Sequence, residues 1–172
     1  TLTAVVGDAT GHGMRAGTMV TSTKSLFSSY AEDDNIIDTF HEMTRCYKNM
    51  HLDNLSMCMT MLKINGNILK MSSAGMPPVY VYKKGTSSVE EYLFQGMPLG
   101  TMKNFPYEVR ETNVQQVDTI VLMSDGFPEL SNDDNEMIGY KRTKQILEEF
   151  ANETPENIIE RFKDAGSEWI ND

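Results

Sequence analysis

Between residues 55 and 126 the chain passes through a series of short apolar segments separated by turn signals, and little but antiparallel sheet accommodates such a run. The stretch LSMCMTMLKI (55–64) puts Met57, Met59 and Met61 on one face and Cys58, Leu62 and Ile64 on the other. Both faces are apolar, so the spacing predicts a central strand. Asn-Gly at 65–66, followed by NILKMSSA, is a hairpin signal. VYVYK (79–83), VEEYLF (89–94) and YEVRETNV (107–114) continue as strands, broken by Lys-Gly and by GMPLG. The segment SAGMPP (73–78) reads as a rigid corner, and DTIVLMSDG (118–126) as an apolar strand that ends on Asp125. At the other end of the chain, residues 1–7 (TLTAVVG) predict one more strand.

Helical periodicity brackets this region. Residues 14 to about 31 carry a stripe of Ala16, Met19, Val20, Thr23, Phe27 and Tyr30. Residues 35–50 repeat Ile36, Ile37, Phe40, Met43 and Tyr47, and the EDDN before them offers caps and a turn. Residues 139–152 predict a third helix. Residues 154–172 predict a fourth, with Thr154 as N-cap, Pro155 in the first turn and a stripe of Ile158, Ile159, Phe162, Ala165, Trp169 and Ile170. Consecutive strands with helices before and after them predict an α+β layered domain.

The 172 residues are the size of one domain, and 40% of them are hydrophobic, enough for a core. The net charge of −10, from 25 acids against 15 Lys and Arg, argues against a nucleic-acid partner, which needs clustered cations. Solubility accounts for that charge, and divalent-cation binding is compatible with it. Two cysteines do not make a disulfide scaffold, so a reducing, cytoplasmic location is expected. No apolar run reaches the ~18 residues of a membrane span. The chain opens on Thr1 and enters directly on a strand, which predicts a fragment of a longer protein.

Chemistry is concentrated in VVGDATGHGMRAG (5–17) and around Asp125. Asp8 and Asp125 each close an apolar strand and lead into a glycine-containing turn. Two carboxylates brought together repel unless a cation lies between them, and hard oxygen donors suit Mg²⁺ or Mn²⁺. The alternative is that both aspartates cap turns. Gly11 and Gly13 precede a helix start, where free backbone N–H groups receive an anion, or they serve a tight turn. His12 is placed to donate a proton or to contact bound water, against an equally ordinary structural role. A hydrolase with His12 as base has little support, because Ser124 lacks the glycine pattern of a nucleophile elbow.

Taken in order, VVGDATGHGMRAG, SAGMPPVYVY, GMPLG and IVLMSDGFPEL resemble the bacterial stage II sporulation E-type (RsbU-like) serine/threonine phosphatases of the metal-dependent PPM superfamily, over nearly the whole chain. The resemblance implies one domain, residues 1–172, built as an α/β/β/α sandwich of two antiparallel sheets flanked by helices. It implies two Mn²⁺ or Mg²⁺ ions, with Asp8 bridging them, the Ala9 carbonyl on one and Asp125 in the same cluster. The activity implied is hydrolysis of phosphoserine or phosphothreonine by metal-activated water. The implied substrate is an anti-sigma-factor antagonist protein, and an upstream sensor or receiver domain provides control. The family's pattern also has an earlier aspartate-bearing strand and a final strand opening on paired aspartates. Neither lies within this chain unless Asp172 is the first of that pair, so the outer strands are expected to be missing. Sheet edges left open in this way give a route to a homodimer. SAGMPP has methionine where relatives commonly have histidine. A catalytically inactive relative that works as a protein-binding module is the alternative. The helices at 14–50 follow Asp8 directly, which makes them the expected point of regulation by a partner or upstream domain.

Overall fold

A computed structural model describes every residue except Asp53 and Asp172. The proposed role of Asp172 therefore falls outside the described residues. In chain order the elements are β1 (Leu2–Ala9), α1 (Gly13–Tyr30), α2 (Ile36–Asn49), β2 (Met57–Asn65), β3 (Ile68–Ala74), β4 (Val79–Lys83), β5 (Ser88–Tyr92), β6 (Arg110–Asn113), β7 (Thr119–Val121), α3 (Gly139–Phe150) and α4 (Pro155–Ile170). Two antiparallel sheets and four helices give the α+β class expected from the sequence. None of the described helices is long and apolar enough to cross a membrane. The chain divides into two compact units, Thr1–Met76 with Phe94–Asn113, and Pro77–Leu93 with Val114–Asp172.

The first unit holds the four-stranded sheet, in the order β1-β2-β3-β6. β2 is central, as its two apolar faces require, and the hairpin to β3 closes on the pair Asn65–Ile68. The register sets Val5 against Met61, Gly7 against Met59 and Ala9 against Met57. On this face the methionines pack with Met19 of α1 and with Phe40, Met43 and Tyr47 of α2 into one core. α2 is well specified: the Asn35 side chain accepts from the Ile37 and Asp38 amides and caps its start.

α1 is held differently. Of its predicted stripe only Met19 and Thr23 are buried, and Val20 stands 52% exposed. Serine and threonine side chains bond back to carbonyls one turn earlier, as Thr18 does to Met14 and Thr21 to Gly17. Further along, Leu26, Phe27 and Tyr30 pack against the core, and polar contacts add to the hold. The Thr23 and Tyr47 hydroxyls share a buried hydrogen bond of 2.8 Å, and the Lys63 ammonium donates to the Ala31 carbonyl, 2.6 Å away, at the helix C-terminus. Lys63 is only 4% exposed, and a cation at this end of a helix is favoured by the helix dipole.

In the second unit the three-stranded sheet runs β5-β4-β7. Tyr80, Tyr82 and Val89 pack with Leu147, Phe150 and Ala151 of the α3 region and with Ile158 of α4. Thr154 caps α4 as expected, its hydroxyl accepting from the Asn157 amide, with Pro155 in the first turn. Two residues of the expected α4 stripe lie outward instead, Ile159 at 56% and Ile170 at 46% exposure, and Gly166 is buried in their place. Two predicted strands are shorter than their apolar letters suggested. Residues 107–114 pair only over Arg110–Asn113, and residues 118–126 only over Thr119–Val121. β7 pairs with β4 only over Tyr80–Tyr82, and Pro77 and Pro78, just before β4, have no N–H with which to carry that ladder on.

Candidate functional site

Asp8 is the penultimate residue of β1 and lies opposite Cys58 on β2. Alternation puts it on the sheet face away from the methionine core, where its residue is exposed. The backbone beneath it is tightly held. A Cβ at Gly7 would lie 2.9 Å from the Cys58 carbonyl oxygen and 3.1 Å from the Met57 Sδ, so only glycine lets β1 lie this close to β2. Beyond the strand, the Thr10 amide donates to the Ser56 carbonyl at 3.0 Å and the two hydroxyls meet at 2.5 Å. The strand end that carries Asp8 and Ala9 is thus tied along β2 and to Ser56 just before it.

The chain then turns into α1 through Gly11 (φ +89°) and Gly13 (φ +70°), conformations that side chains rarely adopt. Between them His12 is extended and exposed, and its side chain does not cap the helix. With no acid in the first turn either, the leading amides of α1 have no side-chain acceptor. Such a terminus favours an anion, phosphate included.

Asp125 does not close a strand. It lies four residues past Val121 and opens an exposed turn. The Glu129 amide donates to the Asp125 carbonyl at 2.9 Å, the Gly139 amide to the Pro128 carbonyl at 2.8 Å, and the Ile138 amide to the Leu130 carbonyl at 3.0 Å. The start of α3 therefore closes on the turn. Tyr140 stands beside it: burial, and then the Glu129 and Asp125 carboxylates, push its phenol above the usual tyrosine range.

Among the described residues, neither the Asp8 nor the Asp125 carboxylate takes up a hydrogen bond or ion pair from the protein, and no three His, Cys, Asp or Glu side chains gather where they could hold a metal. Each of these exposed, unengaged carboxylates, like the Ala9 carbonyl, is a hard oxygen donor of the kind that Mg²⁺ or Mn²⁺ takes. Cys46 and Cys58 are not joined in a disulfide, and His41 is structural, its Nε2 lying 2.9 Å from the Phe105 carbonyl oxygen. Sequence reasoning missed the Thr10–Ser56 tie and the Gly139–Pro128 hydrogen bond that closes the Asp125 turn, because each partner lies many residues away and leaves no local signal.

A search of curated proteins found no match. Solved structures are similar over nearly the whole chain. The SiaA-PP2C domain of Pseudomonas aeruginosa has a TM-score of 0.84 at 17% identity, covering 99% of this chain and 70% of that one. The PP2C phosphatase domain with a fragment of the regulatory domain of the cell fate determinant SpoIIE from Bacillus subtilis has a TM-score of 0.75 at 17% identity. That match covers 96% of this chain and 49% of the other, so this chain spans about half of its length. RsbX, solved in complex with magnesium, has a TM-score of 0.68 at 15% identity, covering 97% of this chain and 73% of that one. These likenesses establish the fold as that of PP2C-type phosphatase domains. The family model described as "Stage II sporulation protein E (SpoIIE)" matches residues 1–172, and the chain belongs to that family.

Proposed function

We propose that residues 1–172 form a single phosphatase domain of the PPM superfamily that hydrolyses phosphoserine or phosphothreonine on a signalling protein of the anti-sigma-factor-antagonist type. One observation carries the reading: the two aspartates at the family's motif positions, Asp8 and Asp125, are exposed carboxylates with no partner among the described residues. Asp8, the Ala9 carbonyl and Asp125 would hold two Mn²⁺ or Mg²⁺ ions. Magnesium in the RsbX structure supports the same class of ion here. When bound, such ions supply Lewis acidity and a water acidified towards neutral pH.

The chain's own groups do the remaining work. The two carboxylates provide the negative charge that retains the cations, on backbone that is held before substrate arrives. The uncapped N-terminus of α1 offers amides to the phosphoryl oxygens, and Gly11 and Gly13 keep side chains out of the approach. His12, exposed between them, would protonate the leaving serine or threonine oxygen. The outward residues of α1, Met14 at 89% and Val20 at 52% exposure, offer a sensor or receiver domain an apolar contact just beyond Asp8.

The test is release of phosphate from a phosphoserine protein by the full-length protein. It should require Mn²⁺ or Mg²⁺ and disappear in Asp8→Asn and in Asp125→Asn with the fold retained. A protein that captures the phosphoprotein, ignores the metal and releases nothing would be a binding module instead.

A further inference from the structure

We propose that Trp169 is a positioning residue for Asp125, acting through the turn that Asp125 opens. The inference rests on reading Asp125 as a metal ligand. That turn has no ladder of its own, because β7 ends at Val121. What seats it is one stripe of α4, made by Phe162, Gly166 and Trp169 at spacings of four and three residues. Phe162 meets Phe127 edge-on, with ring centroids 4.8 Å apart. At Gly166 a Cβ would lie 3.1 Å from the Leu130 Cδ1 and 3.4 Å from the Phe127 ring. A mid-helix glycine is unfavourable by itself, and here its bareness lets α4 lie against the turn.

Trp169 completes the seat with a directional contact. Its indole N–H is shared between the Leu130 carbonyl at 3.0 Å and the Glu136 carbonyl at 3.2 Å. Leu130 also accepts from the Ile138 amide, so one carbonyl joins the indole to the residue before α3, and the indole ties Glu136 to the same point. The ring itself is fixed, 9% exposed and covered by the Arg142 guanidinium 4.3 Å from its centroid. The donor therefore cannot swing away without unpacking α4, and Phe127, Pro128 and Leu130 hold Asp125 at the head of the same turn.

The test uses Trp169→Phe, which keeps an aromatic ring and removes the N–H, read by hydrogen exchange and by Mn²⁺ titration of this chain. Exchange at the Glu129, Ile138 and Gly139 amides should speed by about tenfold while the β4 amides keep their rates, and the Mn²⁺ dissociation constant should rise by about tenfold. A tryptophan that merely fills the core would speed exchange across the whole unit, and that result overturns the proposal. So does local loosening with unchanged Mn²⁺ affinity, or no loosening at all. Asp125→Asn is titrated alongside. Loss of Mn²⁺ binding in it upholds the ligand reading, and wild-type binding overturns that reading separately, whatever Trp169→Phe does.

Discussion

Asp8 and Asp125 are the same residue in the same sequence context, an apolar run followed by a glycine turn, yet the protein holds them by different means. Asp8 stands on a strand whose every residue pairs with β2, and the Thr10–Ser56 contacts extend that hold past the strand end. Asp125 stands on a turn held from outside, by the first residues of α3 and by one stripe of α4. A ladder distributes the restraint over many equivalent hydrogen bonds, so no single side chain decides the position of Asp8. A seated turn concentrates it in a few contacts, so single substitutions there reach the carboxylate.

The largest effect should erase the contrast. Asp8→Asn and Asp125→Asn are each expected to lower metal-dependent phosphatase turnover of the full-length protein on the order of 10²–10³-fold, as removal of one preorganised electrostatic group does. Steady-state turnover measures it, and a variant that keeps wild-type turnover would show that only one of the two positions is a ligand. Next is an alkaline limit on the first unit. Burial pushes the Tyr47 phenol to about 12 from its ordinary 10.0, with the Thr23 hydrogen bond opposing in part. The unfolded phenol loses its proton first, so this stability is complete below pH 10 and is lost as pH rises to about 12. About 3 kcal/mol is at stake. Denaturant midpoints across that range should fall, and fall less in Tyr47→Phe.

Two glycines sharpen the comparison further. Gly7→Ala drives a methyl against the backbone carbonyl of Cys58, which cannot yield without moving β2. It should cost about 2 kcal/mol and lower the melting temperature by roughly 5 °C. Gly166→Ala meets only the end of the Leu130 side chain and the Phe127 ring, and it gains helix propensity. Its net effect on melting should stay within about 1 kcal/mol. Equal losses at the two sites would mean that the ladder and the seated turn are equally rigid, and the distinction drawn here would fail.

Most elements were legible in the letters, and the reasons are local. Asn65-Gly66 marked the β2–β3 hairpin, Thr154-Pro155 opened α4, and the methionine alternation made β2 central. The placement of Asp8 followed, because a strand's register carries its last residues with it. The Asp125 strand was misjudged for an equally physical reason: VLMS is apolar enough for a strand, but Pro77 and Pro78, ahead of β4, have no N–H to offer it. Val20, Ile159 and Ile170 fit helical stripes and yet lie outward, since periodicity states which residues share a face and not how wide a face is covered.

The sequence by itself determined the order of elements, the α+β class and the two candidate carboxylates, because hairpin turns, caps and apolar periods act over a few residues. Tertiary structure alone decided where β7 stops, that Lys63 holds the end of α1, and that a glycine and a tryptophan of α4 seat the Asp125 turn. Those contacts join groups more than thirty residues apart. Only the packed core brings them within hydrogen-bonding and van der Waals reach, so no short stretch of chain encodes them.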